Sequence, residues 1–307
     1  MEALLNALPG VVAQGLIWGI MAIGVYITYR ILDVADLTVD GSLATGGAVC
    51  VMLIRAGMNA WLALLCAVLT GMLAGLVTGL FHTRCGIPAI LSGILTQLAL
   101  YSVNLRIMGG KALQAVGVDK YDLLLSQRYV QQLSWENPLP LLLAFTAVVI
   151  GALYWFFGTE KGSAIRATGA NPNMARAQGI DTGSDVVLGL MLSNGLVALS
   201  GALLAQYQGS SEVNMGRGGI VIGLAAVIIG EVVFERVFRN FALKLLAVSV
   251  GAILYYLVLQ VVLLLGLDTN DLKLVTALIV ALFLAVPYWQ GKKAHHHKTQ
   301  KGGVHHA

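Results

Sequence analysis

Long apolar runs separated by short polar breaks make up nearly the whole chain. A helix that crosses the hydrocarbon core of a bilayer takes about 20 predominantly apolar residues. Runs of that kind lie at 8–29, 61–81, 87–107, 138–157, 186–207 and 242–265. Shorter runs lie at 42–54, 218–234 and 274–289. The pattern predicts an all-α polytopic membrane protein with about 8–9 transmembrane helices, some of them short or broken. One transmembrane domain is expected over residues 1–290, with a polar loop at 159–182 and another at 108–137. Residues 291–307 read as a flexible tail of lysine and histidine. Such a tail suits anionic lipid better than a metal ion.

The loop at 159–182 has local structure of its own. Asn171 followed by Pro172 is a helix-start signal, a capping side chain and then a proline at the first helical position. Gly179 suits the position just past a helix end. "PNMARAQ" between them makes about two turns. "GSAIRAT" ahead of it makes another turn or two, ending at Gly169. A compact helical hairpin outside the bilayer is expected, where an ordinary basic loop would be slack. In the loop at 108–137, leucines and aromatics alternate with charge, as in a helix resting at the membrane interface.

Composition removes other classes. Of the 307 residues, 58% are hydrophobic and 11% charged, and the mean hydropathy is +0.81. A soluble domain of that length needs far more surface charge. The first apolar run lacks a basic leader and an obvious small-residue cleavage site, so a cleaved signal peptide is not expected. The net charge of +4 belongs to loops and tail, and no nucleic-acid partner is expected. Cys50, Cys66 and Cys85 share no metal or redox spacing. No metal site, resident cofactor or cluster of catalytic groups is expected.

Lysine and arginine favour an orientation with 159–182 inside and 108–137 outside. The bias rests chiefly on Lys292, Lys293, Lys298 and Lys301 of the tail. "RILDVADLTVD" then lies inside with three aspartates against one arginine, a cost the orientation does not explain.

Two stretches share a pattern. "GLIWGIMAIGVYITY" leads through an acidic linker into "GSLATGGAVCVML", and "GLVALSGALLAQY" leads through "QGSSEVNMGR" into "GGIVIGLAAVIIG". Each is a glycine-containing span, a polar break and a short glycine-rich span. The two leading spans run in opposite directions, as in an inverted repeat whose broken helices flank a pathway. Most of the 36 glycines serve close helix packing. Candidate pathway residues are Asp40, Ser42, Thr96, Gln97, Ser193, Asn194 and Glu231. Each of these polar groups must find a partner in the bundle or line a wet cavity. Asp40, with Thr38 and Ser42, can instead cap the short helix after the first break. Glu231 can instead pair with Arg236 at the inner surface.

The residues Gly162, Ala164, Arg166, Ala167, Asn171, Ala175 and Gly179, followed by a polar residue and a new span, resemble the coupling loop of ABC importer permeases. The branch is the branched-chain amino acid and ribose type, and the resemblance covers roughly 10–287, including the first glycine-rich stretch and "GLAAVIIGEVVFE". Within it the chain is most similar to compact permeases of the tryptophan and tyrosine type. The acidic "DVADLTVD" departs from the branched-chain group, which has an asparagine- and histidine-containing stretch there.

The resemblance implies a multi-pass protein of the bacterial inner membrane that pairs with a second copy. Its coupling residues, Arg176 included, would dock on two cytoplasmic ATPase subunits that hold ATP and magnesium. An external solute-binding protein would deliver a small polar solute, an amino acid and best an aromatic one. The chain has no "GxxxxGK[ST]" phosphate loop and is not itself expected to be an enzyme. The competing class is an ion-coupled secondary transporter, which would need midplane carboxylates, and the spans offer little beyond Glu231.

Overall fold

The computed structural model describes residues 2–117, 120–130, 137–234 and 240–264, with residues 274, 276–278, 280–282 and 285. Half of the last expected span, 274–289, lies outside them, and the tail at 291–307 wholly so.

The chain begins with α1, Glu2–Tyr26, prolonged by a π-helical turn at Ile27–Ile31. A break at 32–38 leads into α2, Val39–Arg55. Helices α3, Ala60–Thr83, and α4, Ala89–Ile107, follow. After the loop come α5, Pro138–Phe157, the hairpin helices α6, Glu160–Ala170, and α7, Pro172–Ala177, and then α8, Thr182–Gln208. A second break leads into α9, Gly219–Phe234, and α10, Phe241–Leu264, follows. Side-chain caps fix several starts, with Asn59 accepting from Trp61 N and Asn137 from Leu139 N.

Six helical stretches are long and apolar enough to cross a membrane, namely Asn6–Ile31, α3, α4, α5, α8 and α10. At 17 and 16 residues, α2 and α9 extend only about 25 Å at 1.5 Å per residue, short of a core about 30 Å thick. Of the span window in α1, 83% is buried, against 22% in α4 and in α5. The first helix is therefore central, and α4 and α5 are peripheral. Outward-facing Trp61, Leu65, Leu69, Leu73, Leu98 and Val148 form an apolar exterior that suits lipid and not water.

Glycine sets a close seam between α2 and α8. A Cβ on Gly46 would overlap Ala198 O, and one on Gly201 would overlap Leu43 O. Thus α2 and α8 lie backbone against backbone, the contact that small residues permit where water supplies no drive for helices to associate.

The loop at 108–137 does not carry the expected interfacial helix among the described residues. Strand β1, Leu113–Ala115, pairs antiparallel with β2, Ser210–Glu212, with Gln114 opposite Ser211. Beyond it lies one short 3-10 turn, Gln127–Tyr129. Val116, Leu125 and Val130 are buried in the same core as Ile17, Leu64 and Tyr207. The Leu124 N–H donates to Gln206 Oε1 of α8 at 3.1 Å. Leu123, Leu124 and Leu125 turn into the bundle and pack on that core. Among the described residues the loop backbone is held by β2 and α8, and no helix lies along the membrane surface there.

Candidate functional site

The hairpin at 159–182 forms as its caps dictate. Thr159 caps α6 by accepting from Gly162 N at 3.3 Å. Asn171 ends α6 and starts α7, its Oδ1 accepting from Met174 N at 3.0 Å. Gly179 follows α7 at φ +82°, a conformation that favours glycine. Asp181 caps α8, and hydrogen bonds from Ser184 hold its carboxyl below the usual aspartate range.

The hairpin is tied to three spans. A Cβ on Gly169 would overlap Ile31 O, so α6 lies directly on the end of α1. Arg166 Nη2 donates to Phe157 O of α5 at 2.8 Å. Thr168 Oγ1 donates to Asp185 Oδ2 of α8 at 3.2 Å. Arg176 Nε donates to Thr182 Oγ1 at 2.9 Å and braces the turn into α8. The resemblance-derived residues divide accordingly. Gly162 and Ala175 are buried against the protein itself, and Ala164 and Ala167 are half-buried. Arg166, Asn171, Arg176 and Gly179 are exposed, as is Met174.

The two breaks meet. Asp40, in the first turn of α2, accepts from Gly218 N at 2.9 Å and from Ile220 N at 3.0 Å. It therefore caps α9 and not the helix it belongs to, which corrects the expected capping of α2 by Asp40. Arg55, at the far end of α2, donates to Gln114 of the 108–137 loop. Glu231, near the far end of α9, pairs with Arg30 at 2.8 Å on the hairpin side. The two half-length helices thus start beside each other inside the bundle and run to opposite faces. This is the geometry read from the paired sequence pattern, and it concentrates two helix N-termini at one depth.

Beside that meeting point lies a buried polar network. Ser42 Oγ donates to Asn194 Oδ1 at 2.6 Å, and Asn194 Nδ2 donates to Asp36 Oδ2 at 2.7 Å. Asp36 Oδ1 accepts from Thr38 N at 2.9 Å. The Thr38 and Thr78 hydroxyls are 2.7 Å apart, and Thr78 bonds to Thr96 at 2.9 Å. One chain of hydrogen bonds thus ties the first break to α2, α3, α4 and α8. All six residues are at most 3% exposed.

Of the candidate pathway residues, the structure brings Ser42, Thr96 and Asn194 together and leaves the others apart. Ser193 donates to Gly24 O at 2.8 Å, and Gln97 is half-buried with its backbone beside Gly41. Asp40 and Glu231 are partly exposed. Glu231 takes Arg30 as its partner, from the far end of the chain, and Arg236 lies outside the described residues. Sequence reasoning missed Asp36, which has no cationic partner among the described residues. It was visible only as one charge in an acidic linker placed outside the membrane.

Residues 8–287 match the family model described as the branched-chain amino acid transport system permease component. The chain belongs to that permease family. It is 40% identical to a tyrosine transport system permease protein of Clostridioides difficile (strain R20291), over 92% of this chain and 91% of that one. The ribose import permease protein RbsC of Escherichia coli (strain K12) is 25% identical, over 74% of this chain and 69% of its own length. The solved structure of PsaBC from Streptococcus pneumoniae in complex with Fab is 14% identical, with a TM-score of 0.49 over 92% of this chain and 89% of that one. This permease is a multi-pass protein of the inner membrane, and its helices are long and apolar enough to span it.

Proposed function

We propose that this permease is the membrane subunit of a binding-protein-dependent ABC importer for an amino acid, with aromatic amino acids the best candidates. Two copies pair to enclose the route. An external binding protein delivers the solute, and two ATPase subunits holding ATP and magnesium act on the hairpin face. Alternating access follows when the ATPases close and push α6–α7.

One observation carries the reading. The hairpin is a short rigid body fixed to α1, α5 and α8 through Gly169, Arg166 and Thr168. A push on it reaches the central helix and the helix that holds Asn194, whereas a slack loop would absorb it. The tyrosine system of the 40% identical relative supports the solute class.

The test is uptake of labelled tyrosine into cells or vesicles. Uptake requires the permease, and it stops when the ATPase gene is deleted or the vesicles lack ATP. Uptake that persists without ATP and collapses with the ion gradient would replace the proposal with an ion-coupled carrier.

A further inference from the structure

On the hairpin face, a cleft of about 890 Å³ opens between the ends of α1, α5, α6 and α10. We propose that it binds the phosphate headgroup of an anionic phospholipid. The proposal rests on the membrane placement of these helices and not on the import reading.

Arg30, Arg166 and Lys244 line the cleft from three different elements. Arg30 commits its Nε to Glu231. Arg166 commits its Nη2 to Phe157 O and Ser163 Oγ. Each guanidinium has further N–H groups to offer, because arginine carries five donors. Lys244 forms no salt bridge among the described residues. Glu231 is the one carboxylate bonded to any of the three among those residues. Three cations facing one cavity suit a phosphate, with the guanidinium forks giving paired hydrogen bonds.

The rim identifies the source of that phosphate. Tyr154 and Trp155, the last aromatics of α5 but two, also line the cleft. They are 52% and 73% exposed on a peripheral helix. Amphipathic aromatic rings at a span end sit at the level of lipid headgroups. The mouth of the cleft therefore opens at headgroup depth, beside lipid. Its volume far exceeds a bare phosphate and suits a headgroup with its glycerol and upper acyl carbons. Basic pockets between membrane helices bind anionic headgroups through this combination.

The experiment uses the full chain, purified in mild detergent and supplied with phosphatidylglycerol or phosphatidylcholine. Native mass spectrometry counts the lipid retained. Phosphatidylglycerol is retained in preference, one molecule per chain. Lys244→Gln lowers that retention about fivefold, from about 1 kcal/mol per basic residue near an anionic lipid. Arg84→Gln, in a different cleft beside Asp181, leaves it unchanged. Should Lys244→Gln alter thermal unfolding, Arg166→Gln supplies the same measurement from the α6 wall. Millimolar inorganic phosphate does not displace the lipid. Equal retention of the two lipids, or no effect of a folded variant, overturns the proposal. Displacement by inorganic phosphate assigns the cleft to a soluble anion, and displacement by added ATPase subunit assigns it to the protein interface. Either result overturns the lipid assignment.

Discussion

The carboxylate of Asp40 holds the N–H of Gly218 at 2.9 Å, so the start of α2 is fastened to the start of α9 across 178 positions of sequence. A second bond, from Ile220 N at 3.0 Å, completes the cap. Gly218 is exposed and Ile220 half-buried, so the carboxylate takes the place of solvent at one N–H of the α9 terminus and of a missing partner at the other. An aspartate oxygen on backbone N–H groups is also a charge-assisted contact at the positive end of a helix.

Asp40→Ala removes the cap and leaves two donors unpaired. The expected loss of stability is about 0.5–2 kcal/mol, read as a lower unfolding temperature in detergent. Asp40→Asn keeps an acceptor and costs less. Uptake per molecule falls in both, because the relative placement of the two half-helices changes. An unaltered unfolding temperature in Asp40→Ala would mean that the breaks are held together by other contacts.

Much of this architecture was legible in the chain. The apolar runs located every described span, and the Asn171–Pro172 and Gly179 signals gave the hairpin to within a residue or two. The alternation of span, polar break and short span marked both half-helices. What was not legible was pairing at long range. Nothing local to Asp40 says that its partner is Gly218, and nothing local to Glu231 says that its partner is Arg30. The 108–137 loop was misread because a leucine that packs into a core and a leucine that faces lipid look alike in sequence. Asp36 was hidden for a related reason. A buried carboxylate satisfied by an asparagine and a backbone N–H has no sequence signature until the break is folded.

The network around Asp36 yields a stability effect larger than that of the Asp40 cap. Asn194→Ala strips the donor from Asp36 Oδ2 and the acceptor from Ser42 Oγ at one stroke. Leaving both groups buried without partners costs about 2–4 kcal/mol, more than either bond is worth on its own. The double variant Asp36→Asn with Asn194→Ala recovers part of the loss, since the charge is gone. Thermal unfolding of the single and double variants measures this, and strict additivity of their effects would show that the two residues act independently.

Asp181 gives a pH dependence with a definite sign. Ser184 donates to it through Oγ at 2.5 Å and through N at 3.4 Å, which lowers the folded carboxyl's pKa. A lowered folded pKa means that the cap contributes fully above the ordinary aspartate range and is lost as pH falls through the lowered value. The residue is fully exposed, so the effect is confined to the first turn of α8. Hydrogen-exchange protection at Gly183 and Ser184 drops only in acid below the ordinary aspartate range. Ser184→Ala moves that drop to higher pH, and a profile insensitive to this change would dissociate the serine from the cap.

Sidedness is measured with cysteine labelling. Lys111 and Asn173 are both exposed, on opposite faces of the bundle. In a background lacking the exposed Cys85, an impermeant maleimide added to intact cells labels Lys111→Cys and spares Asn173→Cys. Permeabilised cells label both. The opposite pattern would place the hairpin outside and remove it from reach of any cytoplasmic ATPase.

The hairpin offers adjacent positions with opposite expected outcomes. Met174 is 63% exposed, and Ala175 is 3% exposed against its own protein. Ala175→Asp forces a carboxylate into that contact, where desolvation without a partner costs several kcal/mol. The hairpin then lifts from α8, and the variant unfolds early and fails to accumulate. Met174→Asp touches no packed group, so insertion and unfolding temperature stay as in the parent. If the exposed face enters an ATPase groove, the same carboxylate must be desolvated there, and complex formation falls at least tenfold for each 1.4 kcal/mol lost. Ala167→Asp, half-buried on α6, does both in part. Co-purification with the ATPase and solute-stimulated ATP hydrolysis separate the cases. A Met174→Asp permease that assembles and transports at the parental rate would show that the push arrives somewhere other than α7.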